Sequence, residues 1–242
     1  MGCSDSRPTP SKSQEETYIQ RAEAVLGYSK LTTEELVLAV QEKNLAKTLL
    51  PTQLIEISNR LGIQIEGFES EVTALCRFYK NFLVESRYCS RKLVTLGILC
   101  GKGPVLQKAE FLFKNYDLDL SNTISQDELE EAIQEVLDIA LEYIVKFALQ
   151  TETSAELLLK KYSEKLLKVK PLLLKYYRWI LNSDKKPEIT YEGFMELFAK
   201  GTKSVRGLVD SSVLREVAVE KYIAVIASAP LVKTYIDSYL EE

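Results

Sequence analysis

Asp117-Leu118-Asp119-Leu120-Ser121-Asn122-Thr123-Ile124-Ser125-Gln126-Asp127-Glu128 is a polar turn set between two segments with apolar faces. Before it, Val105, Leu106, Ala109, Leu112, Phe113 and Tyr116 recur at helical spacing; after it, Leu129, Ala132, Ile133, Val136, Leu137 and Ala140 do the same. The spacing predicts helices over Val105–Tyr116 and Leu129–Leu149, so the unit is a helix–loop–helix. Within the loop, oxygen-bearing groups fall at positions 1, 3, 5, 7, 9 and 12: Asp117, Asp119, Ser121, the Thr123 carbonyl, Ser125 and Glu128. Ser125 and Glu128 also form a capping-box pair, which starts the exit helix inside the loop.

Six oxygen donors without nitrogen or sulfur suit a hard cation that tolerates irregular coordination, and calcium is the expected ligand. Glu128, the last donor, can supply both carboxylate oxygens, and Ser125 can act through a water. Position 6 requires a sharp, left-handed turn, and Asn122 is the best residue for it after glycine. Ser121 at position 5 weakens the site, and only three carboxylates face the ion. A Kd on the order of micromolar or weaker follows. Asp127 adds negative charge without being a ligand.

Outside the loop, the 242 residues are 46% hydrophobic and 27% charged, enough apolar surface for a packed core. Glycine and proline are few, and the rest of the chain reads as an all-α fold. Thr32 and Glu35 make a capping box before Leu36-Val37-Leu38. Further helices are predicted over Thr73–Val84, Arg91–Cys100, Ala155–Lys168, Leu172–Leu181 and Val213–Ala227, with Pro230 ending the last. Net charge is −4, which argues against nucleic acid as a partner. No histidine is present, which excludes imidazole catalysis and histidine-ligated zinc. Cys3, Cys76, Cys89 and Cys100 form no CxxC pair and read as reduced cytosolic thiols. No nucleophile–base pair or cofactor motif points to an enzyme. Gly101-Lys102-Gly103 lacks the rest of a phosphate loop and reads as a helix break. Glu130 and Glu131 read as a solvated helix face, Tyr176-Tyr177-Arg178-Trp179 as core with a snorkelling arginine, and Val217–Ala229 as packing on the second lobe.

The chain opens Met1-Gly2-Cys3-Ser4-Asp5-Ser6. Gly2 followed by Ser6 fits N-myristoylation, and Cys3 is placed for a palmitoyl thioester. Two acyl chains make an attachment stable where one does not. Residues 4–17 read as a tether, and no apolar run is long enough to span a bilayer. The expected location is the cytoplasmic face of a membrane.

Together with this loop, Lys92-Leu93-Val94-Thr95-Leu96-Gly97-Ile98-Leu99-Cys100 to Gly103 and Ala109-Glu110-Phe111-Leu112-Phe113 resemble the second-to-third hand junction of EF-hand calcium sensors, the recoverin-like sensors and calcineurin B among them. The Met1-Gly2-Cys3 start resembles flagellar calcium-binding proteins of protists, and the body resembles calmodulin-like proteins of ciliates. The resemblance implies four hands, a ciliary or flagellar setting and a helical segment of a target protein as partner. Tyr88 takes position 8 of a preceding loop, 36 residues before Ile124, and Leu49 that of an earlier one; both loops, Phe82–Lys92 and Leu45–Gln53, are largely apolar or basic and read as degenerate hands that have lost their acidic ligand set. A fourth loop fits Asn182–Gly193, with Ile189 at position 8 and 65 residues after Ile124. Gly193 replaces its last glutamate and Lys186 stands at a ligand position, so this loop pairs Ile189 with Ile124 and binds no metal. The extra length is read as a helical linker through Leu141–Lys168.

The organisation expected is a lipidated tail over 1–17, an N-terminal lobe of degenerate hands over 18–101, a C-terminal lobe with one calcium-competent hand over 102–201, and C-terminal helices over 202–242. Two functions compete: a membrane-held calcium sensor that binds partners, and a calcium-independent scaffold with vestigial hands.

Overall fold

The computed structural model describes residues 13–42, 48–63, 73–182 and 186–227. Helices dominate, and the short strands sit at turns. In chain order the elements begin with α1 (Gln14–Leu26), α2 (Thr33–Gln41), β1 (Thr48–Leu49), α3 (Pro51–Leu61), α4 (Ala74–Lys80), β2 (Leu83–Val84) and β3 (Arg87–Cys89). The middle of the chain supplies α5 (Ser90–Cys100), α6 (Val105–Tyr116), β4 (Thr123–Ser125), α7 (Gln126–Leu137), a π-helical turn (Asp138–Tyr143) and α8 (Ile144–Thr151). The rest is α9 (Glu156–Leu181), β5 (Glu188–Thr190), α10 (Tyr191–Ala199), α11 (Lys203–Gly207) and α12 (Ser211–Ala227). Pro230 and the expected terminal helix lie outside the described residues.

The Thr32–Glu35 capping box forms: the Glu35 carboxylate accepts from Thr32 N at 2.8 Å, and Thr32 Oγ1 accepts from Glu35 N at 3.2 Å. These contacts lower the Glu35 pKa. Helix α6 has the predicted bounds. The predicted helix over Thr73–Val84 ends early, at Lys80. The chain then makes a hairpin in which Leu83 pairs with Tyr88 and Val84 with Arg87. Glu85 and Ser86 occupy the two-residue turn with φ of 48° and 67°, the left-handed pair that matches strand twist. Across this hairpin, Leu49 of β1 pairs with Tyr88, giving a small antiparallel sheet in the order β1-β3-β2.

Two predicted helices, Ala155–Lys168 and Leu172–Leu181, are one: α9 runs through Pro171. Proline removes a backbone donor and crowds the preceding turn, at a cost of roughly 3 kcal/mol in a helix interior. Leu166 and Val169 before it and Leu173 and Tyr177 after it are buried on one face, so packing holds the two halves in line while Pro171 faces solvent. In the Tyr176–Trp179 cluster, Tyr177 is core, but Trp179 is 67% exposed. The expectation that the whole cluster is core is corrected at that residue.

The hydrophobic core is continuous from Ile19 in α1 to Ala218 in α12. Its two ends are joined by Arg215, which is 0% exposed. Arg215 Nε and Nη2 donate to the Glu16 carboxylate at 2.9 and 2.6 Å, and Nη1 donates to Glu23 at 3.0 Å. Nη1 also reaches the Ala140 carbonyl in the π turn at 3.4 Å. Burial raises the Glu16 pKa against the pull of Arg215.

Candidate metal centre

Helix α6 ends at Tyr116, and Asp117 caps it with its side chain almost wholly buried. From there the Asp117 carboxylate folds the loop back on itself: Oδ1 accepts from Ser121 N at 2.9 Å and Oδ2 from Asn122 N at 3.1 Å. Asp119 Oδ1 accepts from the same Ser121 amide at 3.1 Å. Ser121 Oγ donates to the Thr123 carbonyl at 3.2 Å and lies 2.9 Å from Thr123 Oγ1. The oxygens of Asp117, Asp119, Ser121 and Thr123 thus lie within hydrogen-bonding reach of their neighbours on one turn. Asn122 has φ of 59°, the left-handed conformation expected at position 6. Leu120 shares it at 60°, which nothing in its residue type signalled.

Ile124 is buried and pairs with Ile189, flanked by Thr123 with Thr190 and Ser125 with Glu188. The long helical insertion between the two loops therefore leaves the expected pairing intact. Two further bonds tie the loops together: Tyr191 N to the Asn122 carbonyl at 3.1 Å, and Gln126 Nε2 to the Lys186 carbonyl at 2.8 Å. In the second loop, Lys186 occupies the ligand position expected to exclude metal. Its backbone is bound by the Asn182 side chain at 2.9 and 2.8 Å.

Ser125 and Glu128 stand apart from the other four donors. Glu128 Oε2 accepts from Ser125 N at 3.0 Å and from Ser125 Oγ at 2.8 Å, while Ser125 Oγ accepts from Glu128 N at 3.4 Å. This is the capping box read from the sequence, and it occupies the carboxylate that would complete a metal shell. Among the described residues no three carboxylate or thiol side chains converge on one point.

The donors fit a hard cation in kind and order: carboxylate, carboxylate, hydroxyl, carbonyl, hydroxyl, carboxylate. The remaining requirement is a turn of the Glu128 side chain away from Ser125, giving up its bonds to Ser125 N and Oγ while Ser125 Oγ keeps its cap on Glu128 N. The loop holds four carboxylates, Asp127 included, and no basic residue. The Ser121 hydroxyl, then the Ser121 amide, hold the Asp119 carboxyl below its usual pKa, so it stays ionised for a cation.

Beneath the loop lies an apolar floor. Leu112 and Tyr116 of α6, Ile124, Leu129 and Ile133 of α7, and Phe194 of α10 enclose a cavity of about 10 Å³, closed by Leu208. Helix α7 is fastened further along. Arg91 of α5 bonds Glu131 and, at 2.9 Å, Glu135. Tyr116 Oη donates to Glu135 at 2.6 Å and lies 3.1 Å from Thr95 Oγ1. Burial, then the Glu135 charge, pushes the Tyr116 pKa well up. Lys170 of α9 binds Asp138 and Glu142. Glu130 and Glu131 lie on a solvated face as read, with side chains 44% and 47% exposed, and each also meets an arginine: Arg178 pairs with Glu130 at 3.1 Å and Arg91 with Glu131. The exit helix of the loop is tied to α5 and α9 by residues that the loop pattern could not reveal.

Leu49 and Tyr88, read as the eighth positions of the two earlier loops, pair with each other, and residues 45–47 lie outside the described residues. Gly2 and Cys3 lie outside the described residues. No helix among the described residues is long and apolar enough to cross a membrane. Comparison with protein-family models, curated proteins and solved structures gives no match.

Proposed function

We propose that the chain is an EF-hand calcium-binding protein with one competent hand, Asp117–Glu128, paired with a metal-free hand at Asn182–Gly193. The observation that carries this reading is the antiparallel pairing of Ile124 with Ile189, which joins two helix-flanked loops at their eighth positions. The ligand set is Asp117, Asp119, Ser121, the Thr123 carbonyl, Ser125 through a water, and Glu128 through both oxygens. Bound calcium would supply the positive charge that lets three carboxylates share one turn. Glu128 would then exchange its bonds to Ser125 for the ion, and the first turn of α7 would move with it. Glu131 and Glu135 carry that movement to Arg91 on α5, and Asp138 carries it to Lys170 on α9. The change alters the packing around the apolar floor and with it the affinity for a helical segment of a partner protein. Myristoylation at Gly2 and palmitoylation at Cys3 would hold this module at the cytoplasmic face of a membrane.

Calorimetric titration with calcium tests the reading. Heat of binding at one site is expected for the native chain, with loss of binding in Glu128→Gln. Equal affinity in both would refute the ligand assignment. The scaffold reading draws on a specific observation, the Glu128 carboxylate engaged by Ser125, together with the acid-poor loops around Leu49 and Tyr88. Hydrophobic-dye fluorescence in calcium and then in chelator separates the two, since a scaffold gives the same signal in both.

A further inference from the structure

We infer that the outward face of α9 is a docking surface for an anionic lipid headgroup layer. This inference rests on neither calcium binding nor acylation. Helix α9 carries seven basic residues against two acidic ones, a net +5 in a chain of net −4, so all other residues together carry −9. The charge is therefore concentrated on one element. Lys170 is engaged inward with Asp138 and Glu142, and the half-exposed Arg178 pairs with Glu130 at the edge of α7. Along the solvent side, Leu157, Lys161, Glu164, Lys168, Leu172, Lys175 and Trp179 follow one another at steps of four, three, four, four, three and four residues, a single helical stripe of exposed residues in which three lysines outnumber one glutamate. Lys160 is exposed beside it.

Large apolar side chains stand in this stripe among the lysines. Leu157 is 69% exposed, Leu172 43% and Trp179 67%. Leu157 and Trp179 are 22 residues apart, which spans about 33 Å along a helix. Anchors so far apart on one side of a rod do not form a pocket for a compact ligand. They match a planar, deformable layer, in which tryptophan prefers the headgroup level and lysines meet anionic lipid as point charges on flexible stems. A dedicated protein acceptor for carboxylates would favour arginine forks over scattered lysines.

Trp179 is the only tryptophan in the chain, so its emission reports this face directly. The full chain without acyl groups would be mixed with phosphatidylserine-containing vesicles and with pure phosphatidylcholine vesicles, followed by co-sedimentation and Trp179 emission. The expected result is sedimentation and a blue shift with the anionic vesicles alone, both suppressed by high salt. Reversing three charges, Lys160→Glu, Lys161→Glu and Lys168→Glu, should lower the vesicle partition coefficient by roughly a hundredfold. Circular dichroism checks that this surface variant keeps its helix content. Absence of binding to anionic vesicles, equal binding to neutral ones, or unchanged binding by the variant overturns the inference. A Trp179 shift with poly-glutamate but not with vesicles also overturns it, and assigns the face to an acidic protein segment.

Discussion

Replacing Arg215 by methionine should expose how strongly the two ends of the fold depend on one buried cation. Arg215 donates three short bonds to the carboxylates of Glu16 and Glu23, and Ser211 Oγ donates a fourth bond to Glu23 at 2.7 Å. Methionine fills similar space but removes all three guanidinium bonds, leaving both carboxylates without a cation and with hydroxyl partners, Tyr162 for Glu16 and Ser211 for Glu23. Three charge-assisted bonds at about 1.5–3 kcal/mol each set an upper bound, and relief of the guanidinium's own desolvation reduces it. The net loss expected is about 3–5 kcal/mol, the range for breaking a buried pair from one side. In a chain of this length that corresponds to a fall in Tm of roughly 6–20 °C.

The loss should also depend on pH with a defined sign. Burial already places the Glu16 pKa above its unfolded value, so the folded state holds this proton more tightly than the unfolded state. Its contribution is greatest below the unfolded pKa and declines as pH rises through the folded value. Without Arg215 the folded value rises further. The deficit of Arg215→Met should therefore be largest near neutral pH and shrink as pH falls toward the carboxylate range. Thermal melts of both proteins across that range, followed by circular dichroism, measure it. A deficit under about 1 kcal/mol, or one that does not change with pH, would refute the reasoning.

Tyr116→Phe removes the bond to Glu135 while keeping the ring, and should cost about 1–3 kcal/mol in a denaturant melt because the Glu135 carboxylate stays buried with only Arg91 as a charged partner. Asn122→Ala should destabilise the chain by roughly 1–2 kcal/mol, because alanine resists the left-handed turn, whereas Asn122→Gly should be neutral or stabilising. Ser121→Ala should raise the Asp119 carboxyl pKa in a titration followed by NMR, since the hydroxyl is the largest influence holding it down.

The loop and its two helices could be read from residues 105–149 because the information is local: an apolar face at helical period, oxygens at fixed offsets, asparagine where a left-handed residue is needed. The pairing of Ile124 with Ile189 followed from counting loop positions, even across 65 residues. Other features were beyond local reading. Phe82-Leu83-Val84 is as apolar as a helix face, and only the left-handed Glu85 and Ser86 make it a hairpin. The helices predicted over Ala155–Lys168 and Leu172–Leu181 are one because buried residues on both sides of Pro171 outweigh its local sterics. Trp179 lies next to the core residue Tyr177, and a shift of two helical positions, about 200°, separates buried from exposed. The bond from Arg215 to Glu16 spans 199 residues and has no sequence signal. Glu128 is legible both as a capping residue and as a proposed ligand; the structure shows the capping role, and the proposed function requires calcium to choose the other.

That choice offers the most direct measurement: a structure of the full chain determined at saturating calcium. The expected result is an ion in the 117–128 turn, held by Asp117, Asp119 and both carboxylate oxygens of Glu128, with the Glu128 bond to Ser125 broken. A turn without an ion, and with Glu128 still bonded to Ser125, would contradict the calcium reading.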